Sequence, residues 1–139
     1  MIRIIVSGQP VAKGRARFVR ATGRTYTPEK TVAYETRVAL IAQDIMAGRP
    51  PLEGALAVTV IAELQVPTSW SAKKRRLALE RRLLPLGRPD LDNYEKILDA
   101  LNLIVWVDDS QIVELHARKR YGIQPQLTID VEPLDDFFA

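Results

Sequence analysis

The apolar positions change period several times along the chain. Arg3 to Ser7 is apolar and β-branched and predicts a first strand. Gly8 to Tyr26 loses all periodicity. Pro10, Gly14 and Gly23 break it and arginines fill the gaps, as in a loop. Thr27-Pro28-Glu29 offers a cap, a proline suited to the first helical position and an acid for the first turn. The helix it starts should run to about Ala47 and stop at Gly48, with Tyr34, Val38, Ile41 and Ile45 on its buried face. Pro50 and Pro51 break the chain again.

Ala55 to Leu64, rich in valine, isoleucine and alanine, predicts a second strand ended by Pro67. Ser71 caps a basic helix from Ala72 to Leu83, closed by Pro85 and Gly87, with Trp70, Leu77 and Leu84 to pin it. Asp92 or Asn93 caps a further helix to about Leu101, whose Ile97, Leu98 and Leu101 face the core. Val105-Trp106-Val107 reads as extended and Asp108-Asp109-Ser110 as a turn. Ile112 to Tyr121 and Gln126 to Val131 read as two antiparallel strands joined near Gly122 and Pro125. The tail at 132–139, with Asp135-Asp136-Phe137-Phe138, is acidic and expected to fray.

At 139 residues, 47% hydrophobic and 27% charged, the chain suits one domain with a single core. No apolar run approaches the roughly 18 residues of a membrane span. The absence of cysteine excludes disulfides, thiolate zinc sites and a cysteine nucleophile, and is compatible with a reducing cytosol.

The net charge is only +3, but it is segregated. A basic loop at about 8–26 carries Lys13, Arg15, Arg17, Arg20 and Arg24. A basic helical insert at about 66–87 carries Lys73, Lys74, Arg75, Arg76, Arg81 and Arg82, and Arg88 follows it. These cations suggest a polyanion partner, with a solvated surface as the plain alternative. Phe18 and Tyr26 lie among them, either to stack bases or as the core side of a surface hairpin.

After the basic segments comes acid: Asp90, Asp92, Glu95, Asp99, Asp108 and Asp109. Like charges so crowded raise one another's pKa unless something offsets them, and a hard divalent cation with oxygen ligands would do so. Asp90 and Asp92 would point to one side of an extended segment. Lys96 lies one helical turn beyond Asp92. A helix of about ten residues is about 15 Å long, and the steps from Asn102 to Asp109 span up to roughly 23 Å. Asp109 can therefore return to the helix start. Three carboxylates around one point suit Mg²⁺, which could polarise a phosphodiester and activate a water, with Lys96 stabilising charge or orienting the nucleophile. Competing readings are a helix cap for Asp90 and Asp92, a face residue for Glu95, a partner of Lys96 for Asp99 and a turn former for Asp108. An EF-hand fits poorly because Glu95 occupies its glycine position. His116 reads as structural.

Asp90-Leu91-Asp92-Asn93 with Lys96, Asp99-Ala100-Leu101, Trp106 and Asp108-Asp109-Ser110-Gln111 together resemble the RusA family of Holliday junction resolvases. Gly8-Gln9-Pro10 with the arginine loop, Tyr26-Thr27 and the insert from Val66 to Arg75 look like its phage-type members. The likeness reaches about Val131. It implies an α+β fold, a small mixed sheet with helices packed on it, and a homodimer in a bacterial cytosol, encoded by host, phage or prophage. It implies an endodeoxyribonuclease that nicks four-way junctions symmetrically, in recombination and repair, with Mg²⁺ (Mn²⁺ substituting) and no organic cofactor. The family's catalytic set falls on Asp90, Asp92, Lys96 and Asp109, with the aspartates as metal ligands. DNA contact falls to Lys13, Arg15, Arg17, Arg24, Lys73, Lys74, Arg75, Arg76 and Arg88. The alternatives are a branched-DNA-binding accessory protein without catalysis, and a nucleotide phosphohydrolase whose pocket would need Trp106 and Tyr94 as walls.

Overall fold

The computed structural model describes residues 1–134; the tail Asp135-Asp136-Phe137-Phe138 lies outside them. The strands are β1 (Ile2–Ser7), β2 (Arg17–Val19), β3 (Arg24–Tyr26), β4 (Leu56–Gln65), β5 (Ile112–Gly122) and β6 (Gln126–Pro133). The helices are α1 (Glu29–Met46), α2 (Ala72–Leu79) and α3 (Leu91–Glu95), with 3-10 segments at Lys96–Leu101 and Asp109–Gln111. The fold is α+β, as the resemblance implies.

The main sheet has the order β1-β6-β4-β5. Its centre is β4, where Leu56, Val58, Val60, Ala62 and Leu64 alternate into the core. Burying each of the larger ones contributes on the order of 1.5–3 kcal/mol. Their sheet neighbours on the same face are Val131, Ile129 and Leu127 of β6, then Ile2, Ile4 and Val6 of β1. Helix α1 and the 3-10 segment Lys96–Leu101 cover this face with Tyr34, Val38, Ala42, Met46, Ile97, Leu98 and Leu101. The other face is polar. There Arg3 grips Asp130 through two hydrogen bonds of 2.7 and 2.9 Å.

Several local expectations change. β5 and β6 are not partners: β4 lies between them, parallel to β5 and antiparallel to β6. The apolar β4 takes the centre with a paired strand on each edge, and residues 123–125 cross its end. The loop at 8–26 contains the hairpin β2–β3, and its aromatics do not pack on the core, with Phe18 62% and Tyr26 49% exposed. In α1, Pro28 holds the cap position and no side chain caps it; Ile41 and Ile45 are only half-buried, and Thr31, Ala42 and Met46 complete the buried stripe. Asp90, not Asp92 or Asn93, holds the cap position of α3. Trp106 is fully buried and forms single bridges to Leu52 and Asn102 in place of a strand. Glu132 and Pro133, expected in the tail, belong to β6.

The basic helix stops at Leu79, short of Leu83. Arg82 N–H donates to Leu77 C=O and Arg81 N–H to Ala78 C=O, while Arg81 is left-handed at φ 63°. That is a Schellman ending. An arginine takes the position usually held by glycine, so the sequence carries no stop signal before Pro85.

Candidate functional site

The acidic residues sit outside the main sheet, on short helical segments and the chain just before them. The Arg88–Pro89 peptide is cis. Lys119 of β5 reaches this segment, its Nζ donating to Gly87 C=O at 2.8 Å and Pro89 C=O at 3.2 Å. Asp90 follows at the start of α3, with extended backbone and a side chain that caps nothing. Asp92 is already in the first helical turn, so the two carboxylates do not share one side of an extended strand. Lys96 turns back one helical turn, with Nζ 3.5 Å from Asp92 Oδ2 and 3.3 Å from Asn93 Oδ1. Asp90, Asp92 and Lys96 are all exposed.

Asp109 comes from the turn after Trp106. The turn is built by Asp108 and Gln111. Asp108 accepts from the backbone at Gln111, and Gln111 Oε1 accepts from Val107 and Asp108 N–H at 2.9 Å each. Gln111 Nε2 donates across to Leu52 C=O at 2.9 Å and Gly54 C=O at 3.0 Å. With the turn fixed, Asp109 lies against Asp108 and Asp99. Its carboxyl is held above the usual aspartate range, first by Asp108, then by some desolvation, then by Asp99. Asp108 is held below that range, first by the Ser110 hydroxyl, which donates to it at 3.0 Å, and then by Asp109.

The chain thus returns Asp109 to the acidic segment, but beside Asp99. Among the described residues no three His, Asp or Glu side chains stand close enough together to hold a metal ion by themselves. The donor set still fits magnesium. It consists of oxygen atoms, it is exposed, and the neighbouring Asp108 and Asp99 hold the carboxyl of Asp109 above its usual range. Mg²⁺ keeps several waters and is commonly bound by one or two carboxylates plus substrate phosphates, so a closed protein cage is not required.

The expected DNA contacts divide into free and engaged groups. Arg15, Arg17 and Arg24 are exposed on or near the hairpin, and no ion pair among the described residues involves them. Arg15, Arg17 and Lys30 line a cleft of ≈ 520 Å³ whose far wall is Pro89 and Tyr94, which brings the arginine loop beside the Asp90 segment. Lys13 is engaged: its Nζ lies 3.1 Å from Asp99 Oδ2 and 3.6 Å from Glu35 Oε1. In the insert, Lys73 is exposed, Lys74 sits 4.1 Å above the Trp70 ring, Arg75 donates to Pro67 C=O and Arg76 faces Glu80 at 4.0 Å. Trp70 packs edge-on against Tyr121 and anchors the insert to the end of β5. Arg88 is exposed. Trp106 is 0% exposed and walls no pocket, which leaves Tyr94 alone of the two aromatics expected to wall a nucleotide pocket. His116 is on an exposed stretch of β5.

Two positioning residues have only faint sequence signals. Asp108-x-x-Gln111 has the spacing of a capping box, and that spacing could have identified Gln111. Lys119 is one cation in a charged strand, and nothing in the sequence marks its reach to the 87–89 segment.

Residues 7–132 match the family model described as endodeoxyribonuclease RusA. The uncharacterized protein YqaN of Bacillus subtilis (strain 168) is 36% identical over 135 residues, covering 92% of this chain and 93% of that protein. No helix among the described residues is long and apolar enough to cross a membrane. A match across nearly the whole described fold, with Asp90, Asp92, Lys96 and Asp109 inside it, places the chain in the RusA endodeoxyribonuclease family.

Proposed function

We propose that the protein is a magnesium-dependent endonuclease that resolves four-way DNA junctions by paired symmetric nicks, acting as a homodimer. The observation that carries this reading is the adjacency of two opposite features. An exposed arginine loop and a cleft lined by Pro89 and Tyr94 lie beside the segment that carries the exposed Asp90 and Asp92. Each feature alone is ordinary; together they suit a phosphodiester held between cations and acid.

Arg15, Arg17 and Arg24 would hold the DNA backbone, and Phe18 and Tyr26 offer stacking faces beside them. Asp90, Asp92 and Asp109 would hold Mg²⁺ together with water and phosphate oxygens. When bound, the ion supplies Lewis-acid polarisation of the phosphodiester and a more acidic water. Lys96, held by Asp92 and Asn93, is placed to donate to a phosphate oxygen as charge develops on it. A two-fold junction is matched by an isologous pair of subunits, one site for each nicked strand.

The test is cleavage of a synthetic four-way junction against linear duplex, with and without Mg²⁺, mapping nicks on all four strands. Paired nicks on strands of like polarity are expected. Asp109→Asn should abolish them, and Lys96→Ala should lose turnover while junction binding persists. Salt-sensitive junction binding with no nick in Mg²⁺ or Mn²⁺ would instead make this a branched-DNA-binding protein without catalysis.

A further inference from the structure

Lys13 lies in the arginine loop and shares its sequence signature, yet its contacts are all internal. Its backbone N–H donates to Asn93 C=O at 2.8 Å, within α3. Its ammonium donates to Asp99 at 3.1 Å and lies 3.6 Å from Glu35 of α1. The next residue, Gly14, donates its N–H to the buried Thr31 hydroxyl at 2.9 Å. A Cβ at Gly14 would lie 2.9 Å from Pro28 Cγ, so the loop passes α1 too closely for a side chain. Partial burial alone would lower the Lys13 pKa. The Asp99 hydrogen bond and the charges of Glu35 and Asp99 outweigh it and hold the ammonium above its ordinary range.

Three elements therefore meet at one lysine: the loop that carries Arg15 and Arg17, helix α1, and the acidic segment. Asp99 on its other side faces Asp109. We infer that Lys13 is a positioning residue, which sets the DNA-holding loop in register with the carboxylates through Asp99 and Glu35, and is not a phosphate contact. This assignment rests on the nuclease reading above.

The two roles separate in the salt dependence of binding. Each phosphate contact contributes a slope of about −0.9 to log K against log salt. A positioning lysine contributes none. Misplacing a reacting group by about 1 Å can cost on the order of a hundredfold in rate. In Lys13→Met, turnover at saturating junction should fall about ten- to a hundredfold while the salt slope stays that of the wild type. Arg15→Ala, as the comparison, should lose about one from the slope. Asp99→Asn should reproduce part of the turnover loss, and Lys13→Met with Asp99→Asn should be less than additive, because both remove the Lys13–Asp99 interaction. Lys13→Arg should restore part of the turnover; if the methionine variant does not fold, the arginine and asparagine variants carry the test.

A slope lowered by about one in Lys13→Met makes it a DNA contact and overturns the assignment. So does unchanged turnover with unchanged slope, or full additivity with Asp99→Asn. A wild-type chain that cuts no branched DNA would remove the nuclease reading instead, and the salt slope would still tell clamp from contact.

Discussion

Gln111 is the side chain on which the Asp109 turn depends most, and truncating it gives a worked prediction. Its amide makes four hydrogen bonds at 2.9, 2.9, 2.9 and 3.0 Å, using both acceptor positions and both donors. Three of these are at exposed positions, where water replaces the lost partner; the bond to Leu52 C=O is part-buried. Net values run from about 0.5 kcal/mol for an exposed bond to about 1.5 for a sheltered one, so Gln111→Ala should lose about 2–3 kcal/mol. For a domain of this size that corresponds to about 6–9 °C in Tm. Thermal unfolding followed by circular dichroism, with urea unfolding alongside, measures it. Gln111→Glu is the sharper variant. A carboxylate can accept from Val107 and Asp108 N–H but cannot donate to Leu52 and Gly54 C=O, and it sets negative oxygens against them. It should be destabilised at neutral pH and recover on acidification, when the protonated acid donates again. An alanine variant within about 0.5 kcal/mol of wild type would mean that water replaces the whole set and that the turn is held by something else.

Three further outcomes are expected from neighbouring contacts. Asn102→Ala removes the acceptor of the buried Trp106 indole N–H, now bonded at 2.7 Å, and should cost about 1–3 kcal/mol in urea unfolding read by tryptophan fluorescence. Lys119→Met frees the Gly87 and Pro89 carbonyls and should reduce junction cleavage at saturating DNA about tenfold through misplacement of Asp90; cleavage at the wild-type rate would refute that link. In metal-free protein the Asp109 carboxyl is raised, so the folded state binds its proton more tightly than the unfolded chain does. Its contribution to stability is therefore lost as pH rises through the raised value, while the lowered carboxyl of Asp108 acts in the opposite sense. Melts of Asp109→Asn in EDTA should lack that decline, and Mg²⁺ should raise the Tm of the wild type more than that of the variant.

How much of this was legible in the sequence depends on whether the cue was local. Arg3 to Ser7, the α1 stripe around Tyr34 and Val38, and the Ser71 cap, whose hydroxyl accepts from Lys74 N–H, are set by neighbours in the chain and came out as read. Strand order was not local. Ile112 to Tyr121 and Gln126 to Val131 look like a hairpin because three residues join them, yet β4 wins the place between. No pattern within either strand encodes a third strand from elsewhere. The same holds for Lys13. By composition it belongs with Arg15 and Arg17, and only the return of Asp99 and Glu35 to its side distinguishes it. The capping-box spacing at Asp108 and Gln111 was visible, but its connection to Leu52 and Gly54 depends on the fold.

The candidate site illustrates a constraint on acidic centres. In the proposed mechanism Asp90 and Asp109 must stay open to a phosphate and an ion, which locking hydrogen bonds would prevent. Both sit outside the sheet, where no ladder holds the backbone. Rigidity has to be imported, and three long side chains supply it from regular or buried neighbours. Lys119 holds 87–89 from β5, Gln111 holds the Asp109 turn against 52–54, and Lys13 joins the loop, α1 and Asp99. Each clamps backbone groups or carboxylates outside the expected metal ligands, of which Asp92 is paired with Lys96. Asp108 and Asp99 leave the Asp109 carboxyl above its usual range in the metal-free chain. On the proposed reading, a cation bound there would offset that crowding of acid.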